Sequence, residues 1–267
     1  TICIKWSFPC HIIKLPEIRD QVNNEINKYM TTGVWTEECF DQNLKKHYLP
    51  INYVTSQSTT TPTRIIIDPS ARGKNNISLN CTQRYGFSHV GDLRGILLKF
   101  RAAQQVSVGD ISKFFNSFKL TKEDQSLRRM LIPKEGFGVT ENPTLIEVVP
   151  TKMGFGDRAA PVLAVIGKNS NVATFIAETA TNLQDDVNRA LIDQAYMDDV
   201  FADVPWDQDI NEVTEAINQL ITKGGMTIKQ WTHETEEMTK FLGYTWCPKE
   251  DTMSLKNWLN LDTKNRG

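Results

Sequence analysis

Apolar residues recur along this chain at two spacings, and the changes of spacing mark its elements. In Leu15–Thr32, residues Ile18, Val22, Ile26 and Tyr29 fall at helical intervals, predicting a helix that ends near Gly33. Tyr48–Asp68 is rich in β-formers with a Ser/Thr-rich break at Ser56–Thr63, and Pro69–Ser88 is polar and loop-like. Asp92–Gln104 is helical, its stripe made by Leu93, Ile96, Leu97 and Phe100. The spacing then drops to two. In Gln105–Asp110, residues Val106, Val108 and Asp110 share one face of a half-buried strand. Ser112, Lys113, Phe114, Phe115 and Phe118 follow as a turn into a helix. Downstream, the pattern predicts a short helix over Lys122–Met130, a strand over Pro143–Val149, and helices over most of Pro161–Thr181 and over Val213–Lys223. The class is α+β, without internal repeat or long linker.

Acids interrupt the apolar pattern at two places. Tyr196-Met197-Asp198-Asp199-Val200 sits between Ala195 and Phe201–Ala202, two short β-prone runs that predict a hairpin with both carboxylates at its turn. Asp110 closes a strand where an apolar residue is cheaper to bury. Adjacent carboxylates repel, most strongly where water is partly excluded, and a divalent cation with oxygen ligands removes that repulsion. Two such ions about 3.5–4 Å apart serve in-line nucleotidyl transfer. A second acidic pair, Asp185-Asp186, is the internal control. It lies in Ala177–Gln194, where Leu183, Val187, Leu191 and Ile192 recur at helical spacing, and a solvated helix face explains it. Phe115, five residues after Asp110, either lies beneath a sugar ring or packs in the core.

Taken together, Asp110 with Phe115 and Tyr196-Met197-Asp198-Asp199 resembles the catalytic pattern of reverse transcriptases. Arg64-Ile65-Ile66-Ile67-Asp68 resembles the fingers strand whose arginine touches the incoming triphosphate. Phe155-Gly156-Asp157-Arg158-Ala159-Ala160-Pro161 resembles the loop-to-helix motif beside the nucleotide base. Lys223-Gly224-Gly225 through Lys229 resembles the segment after the active-site hairpin, and Phe241-Leu242-Gly243-Tyr244 the primer grip. The likeness runs from about Leu49 to Ser254. Ile96–Arg101 and Asp68-Pro69-Ser70-Ala71 are most similar to Bel/Pao-type LTR retrotransposons.

That resemblance implies a right-hand polymerase fold of fingers and palm, with an antiparallel palm sheet backed by helices and the thumb largely absent. It divides the chain into fingers (1–87 and 119–155), palm (88–118 and 156–248), and the start of a thumb or a tail (249–267). It implies an RNA-directed DNA polymerase that uses Mg²⁺, with Mn²⁺ as a substitute. Asp110 and Asp198 would bridge two ions, the Ile111 carbonyl would bind one, and Asp199 would support the cluster. Backbone amides of Ser112, Lys113, Phe114 and Phe115, with Arg64, would hold the triphosphate. Phe115 would exclude a ribose 2′-hydroxyl, Phe155 would meet the nucleotide, and Lys229 is a proton donor or charge partner for pyrophosphate, or a plain surface lysine. Leu242-Gly243-Tyr244 would press the primer, the glycine allowing close backbone approach, though Tyr244 fits a core role equally. The implied partners are an RNA or DNA template with primer, dNTPs, and the polyprotein segments that supply a thumb and ribonuclease H.

The chain departs from the retroviral pattern in several respects. Phe155 stands where a glutamine is usual, Asp157 and Arg158 replace residues often small or singly charged, and no lysine occurs between Lys46 and Arg64. Rival readings are a non-catalytic scaffold or nucleic-acid-binding protein, an RNA-dependent RNA polymerase, which Phe115 disfavours, and a metal-dependent nuclease, which leaves the fingers and grip motifs unexplained.

Composition changes this picture little. A chain of 267 residues with 40% hydrophobic content buries a full core. It lacks a run of roughly 18 apolar residues of the kind that crosses a membrane. Five cysteines without metal-ligand spacing predict reduced residues of an intracellular, cytoplasmic protein. Thr1 in place of methionine predicts a piece of a polyprotein or a trimmed chain. Net charge is −2, but it is unevenly spread. From Arg72 to Lys134 twelve lysines and arginines face four acids, whereas from Asp185 to Glu215 ten acids face Arg189 alone. A basic region beside an acidic one suits a phosphate backbone beside metal ions.

Overall fold

The computed structural model describes residues 15–37, 44–55, 63–84, 89–233, 239–247 and 250–255. The chain forms two compact units, residues 1–87 with 115–161 and residues 88–114 with 162–267. Among the described residues no helix is long and apolar enough to cross a membrane. Cys3, Cys10 and Cys39 lie outside the described residues, and Cys81 and Cys247 are free thiols.

In the first unit, helix α1 (Pro16–Thr31) starts on a proline, whose missing N–H is no loss at a helix start, and buries Val22 and Ile26. It ends where Gly33 takes φ +67°. Strands β1 (Trp35–Thr36), β5 (Met130–Pro133) and β6 (Leu145–Pro150) form an antiparallel sheet in the order β1-β6-β5. β2 (Ile51–Thr55) pairs antiparallel with β3 (Thr63–Ile67), and the expected break between them falls largely outside the described residues. Ile51, Ile65, Ile67, Trp35, Met130 and Val148 join Val22 and Ile26 in one core. Two expectations change here. The polar stretch after Pro69 contains a short helix, α2 (Leu79–Thr82), because the Ser78 hydroxyl accepts from the Cys81 amide and caps it. The helix expected over Lys122–Met130 stops at Ser126 (α4, Lys122–Ser126), since Met130 and Ile132 are buried by pairing with β6.

The second unit is built on an antiparallel sheet in the order β7-β8-β4-β9: β7 (Ala195–Tyr196), β8 (Asp199–Val204), β4 (Gln105–Asp110) and β9 (Thr232–His233). Helix α3 (Leu93–Ala102) is capped by Asp92, whose carboxylate accepts from the amides of Arg94 and Gly95. Helix α5 (Ala160–Phe175) ends six residues before the expected Thr181, giving way to a 3₁₀ turn over Ile176–Glu178. Helix α6 (Gln184–Asn188) runs into a π-turn over Arg189–Asp193. Helix α7 (Ile210–Lys223) buries Val213, Ile217, Leu220 and Ile221, the stripe the spacing predicts, and packs on β4 and β8. Strand β4 is not half-buried as expected: Val106, Ser107 and Gly109 are all enclosed, because helices and the segment before β9 cover both of its faces. A second sheet follows, β10 (Thr239–Phe241), β11 (Tyr244–Cys247) and β12 (Thr252–Leu255).

An aromatic cluster joins the two sheets of this unit. The Phe100 ring stacks on Phe241 at 4.8 Å and meets Phe201 and Trp246 edge-on at 5.3 and 5.4 Å. Such pairs add about 0.5–1.5 kcal/mol beyond their burial. Phe100→Ala therefore lowers stability by about 3–5 kcal/mol in urea unfolding. Leu98→Ala, on the exposed side of α3, changes it by less than about 0.5 kcal/mol.

Candidate functional site

The register of β4 on β8 places Asp110 directly opposite Asp199. Residues so paired have Cβ atoms about 4.5–5.5 Å apart, a spacing at which like charges destabilise a sheet. Tyr196 pairs with Asp199, so Met197 and Asp198 form a two-residue turn and Asp199 is the first residue of β8. Met197 adopts φ +56°, a left-handed conformation that costs a side chain about 1–2 kcal/mol. Strain of this kind persists only where the surroundings enforce it.

Those surroundings are backbone hydrogen bonds on either side of Asp110. The Ile111 amide donates to the Asp198 carbonyl at 2.8 Å, the Lys229 amide to the Asp110 carbonyl at 3.1 Å, and the Ser112 amide to the Thr227 carbonyl at 2.7 Å. Ile111 is fully buried and bridged to Ile228. Gly109 permits this closeness, since a Cβ there would stand 2.9 Å from Ile228 and 3.0 Å from the Trp231 ring. One expectation is corrected: the Ser112 amide is engaged by Thr227 and is not turned toward a phosphate. Lys113 follows with φ +48°, and Phe114 is buried.

The electrostatics express the crowding. Burial first, then the charges of Asp198 and Asp110, push the Asp199 carboxyl up to about 6 against the relief given by Lys229. Partial burial likewise raises Asp198, which remains exposed at the turn. The Lys229 ammonium is ion-paired with Asp110 Oδ2. Among the described residues no three His, Cys, Asp or Glu side chains gather into a metal-binding cluster. Mg²⁺ sites that act on phosphates take only one or two carboxylates, the other positions falling to water and substrate. The donor set of hard oxygens and the repulsion left at Asp199 fit such a cation, which Asp110 could take only in exchange for its ion pair with Lys229.

The remaining expected residues are distributed between the units. Arg64 is exposed on β3, opposite Val54. Phe115, in a 3₁₀ turn over Phe114–Ser117, meets the half-exposed Phe155 ring edge-on at 5.3 Å. The Phe155 loop is held by polar side chains that belong to none of the motifs above. Asn80 donates to the Gly156 carbonyl and accepts from the Arg158 amide, both at 3.0 Å. Gln83 joins Asp157 Oδ1 at 2.9 Å and the Ala159 amide at 3.0 Å. The Arg128 guanidinium meets Asp157 Oδ2 at 2.8 Å in a buried ion pair. Gly156 has φ +106°, and a Cβ there would lie 2.5 Å from the Ile67 carbonyl oxygen. Leu242 and Gly243 form the turn between β10 and β11 with φ +48° and +82°, the pair of left-handed residues that a tight hairpin of this twist requires. Tyr244 is half-buried, whereas Phe241 beside it is core.

The control pair proves more than a solvated face. Asp185 is exposed, but Asp186 accepts from Arg189 at 2.7 Å and from Gln208 at 2.8 Å.

No protein-family model matches the chain, and no curated protein matches it. Solved structures do. The chain is similar to the foamy viral protease-reverse transcriptase in complex with an RNA/DNA hybrid, with TM-score 0.61 and 15% identity over 91% of this chain and 27% of that one. The same viral protein in complex with dsDNA gives TM-score 0.59 and 16% identity, over 89% of this chain and 41% of that one. The chain thus spans between a quarter and two fifths of the length of these proteins. Its fold is the polymerase fold of reverse transcriptases.

The raised Asp199 carboxyl sets a stability signature. Its folded form holds a proton more tightly than its unfolded form, so the associated stability is complete below about pH 4 and is lost as pH rises through about 6. Two pKa units correspond to about 3 kcal/mol, which partial solvent access reduces to about 1–2 kcal/mol. In chelator, Asp199→Asn is therefore more stable than the parental chain by that amount at pH 7.5. The gain vanishes toward pH 4 in unfolding titrations, and a gain independent of pH contradicts the assignment.

Proposed function

We propose that this chain is the core of an RNA-directed DNA polymerase, transferring dNTPs onto a primer 3′-hydroxyl. The observation that carries this reading is the Asp110–Asp199 register with Asp198 at the adjoining turn, in the fold of reverse transcriptases. Asp110, Asp198 and the Ile111 carbonyl would hold divalent cations, Mg²⁺ with Mn²⁺ as substitute, and Asp199 would add negative charge behind them. Two such ions, when bound, acidify the primer hydroxyl and neutralise the departing pyrophosphate.

The chain's own groups do the rest. Lys229 leaves Asp110 and offers its ammonium to the pyrophosphate as proton donor or counter-charge. Amides of Lys113, Phe114 and Phe115, together with Arg64, bind triphosphate oxygens. Phe115 bars a 2′-hydroxyl by bulk, and Phe155 meets the nucleotide through an apolar ring where retroviral enzymes use an amide. The Leu242-Gly243-Tyr244 turn presses on the primer backbone. Fingers and palm correspond in this reading to the divisions expected from sequence. Template and primer are its partners, as RNA/DNA hybrid and dsDNA are partners of the foamy viral proteins. Thumb and ribonuclease H come from other segments of a polyprotein of the Bel/Pao retrotransposon type, acting inside the cell in cytoplasmic particles.

One observation favours a second reading, a non-catalytic nucleic-acid-binding scaffold. The Lys229–Asp110 ion pair relieves part of the acidic repulsion without any metal.

Primer extension on an RNA template with Mg²⁺ or Mn²⁺ separates the two. Parental protein extends the primer, Asp110→Asn and Asp198→Asn reduce extension to background while keeping parental thermal stability or better, and Asp185→Asn changes nothing. Near-parental activity in either of the first two variants contradicts the cation assignment. Phe115→Ala weakens discrimination against ribonucleotides by about tenfold or more, and unchanged discrimination removes Phe115 from the sugar-contact role.

A further inference from the structure

Helix α5 buries one face through Ala164, Val165, Lys168 and Val172, and the lysine in the middle of that stripe is only 2% exposed. Its ammonium donates to the Leu191 carbonyl at 2.6 Å. Burial pushes its pKa down to about 8. An apolar side chain of similar length would avoid the desolvation that a buried ammonium suffers. A lysine here weakens the core unless the hydrogen bond does something an apolar contact would not.

What it holds is the π-turn Arg189–Asp193, which contains Leu191 and is closed by the Gln194 amide on the Arg189 carbonyl at 3.0 Å. Such turns carry one residue more than an α-turn, are rare, and are frequent at functional sites. The turn's other side is fastened to β8. Arg189 Nε and Gln194 Nε2 meet Asp203 Oδ1 at 3.2 and 2.7 Å, and Arg189 also reaches the Asp203 carbonyl at 3.1 Å. Gln194 leads directly into β7. Side chains alternate along a strand, so the loss of one residue from the turn would send Tyr196 to the opposite face and misplace the acids that follow.

We propose that Lys168 is a positioning residue for the carboxylate hairpin: its hydrogen bond to the Leu191 carbonyl keeps the π-turn from relaxing to an α-turn and sets the phase in which β7 enters the hairpin. The polymerase reading supplies only what the hairpin is for; the phase itself is a property of the fold. Asp110 and Lys229 reach the hairpin from other elements, so Lys168 acts through the backbone and touches neither substrate nor cation.

The test compares the parental chain with Lys168→Met, which keeps length and removes the donor, and Lys168→Gln, which keeps a donor without charge. Three quantities are read: thermal unfolding, amide hydrogen exchange across Ala195–Phe201, and binding of Mn²⁺ alone. Lys168→Met is expected to melt at or above the parental temperature. It loses exchange protection in the hairpin, and its Mn²⁺ affinity falls by about 10–100-fold. Lys168→Gln restores most of both. A Met variant with parental hairpin protection overturns the proposal, and so does one whose protection falls evenly across the whole unit, the mark of a merely structural residue. Should the Met variant fail to fold, Lys168→Leu, which also lacks the donor, is read in its place: protection lost in the hairpin alone supports the bond, and parental hairpin protection overturns it. If the parental chain binds no Mn²⁺, the cation reading of the site fails, while hairpin exchange still decides the phase.

Discussion

Two carboxylates stand directly across a strand pair, and much of the second unit is arranged around that repulsion. Asp110 and Asp199 are opposed by register, so no side-chain rotation separates them fully. A sheet tolerates such a pair only if other interactions fix the strands and something positive answers the charge. Lys229 supplies part of the answer, while burial first, and then the charges of Asp198 and Asp110, still push the Asp199 carboxyl up to about 6. A divalent cation would answer the repulsion that remains.

The strands themselves are fixed from several directions. Main-chain bonds tie 110–112 to 198 on one side and to 227–229 on the other, and the Phe100 cluster joins this sheet to the β10–β12 sheet. Beneath the hairpin, the π-turn is held between Lys168 and Asp203. The left-handed Met197 marks where the strain of presenting the acids collects. This division of labour suits the proposed chemistry, in which a stiff base carries a crowded tip and stability is given up locally for charge density.

Much of this was legible in the chain. The hairpin could be read because short apolar runs flank Asp198-Asp199, and α7 because its stripe is regular. The strand Gln105–Asp110 could be placed by period two, but its burial on both faces could not, since Ser107 and Gly109 look like solvent positions until distant segments such as Ile228 and Trp231 cover them. The π-turn was not legible, because an inserted residue breaks the very periodicity by which helices are found. Lys168 did leave a trace, a charge four residues from both Ala164 and Val172 on a buried stripe. Asn80 and Gln83 left none. Their partners lie 78 and 74 residues away, and local polarity there reads as a loop.

The reading proposed above makes the acidic hairpin a cation site. Mn²⁺ binding followed by electron paramagnetic resonance, on the parental chain and on Asp110→Asn/Asp199→Asn, tests it without substrate or nucleic acid. Saturable binding is expected in the parental chain, strengthening from pH 5 to pH 7.5 as Asp199 ionises, and is lost in the double variant. Binding of equal strength in the two proteins, or none in the parental chain, contradicts it.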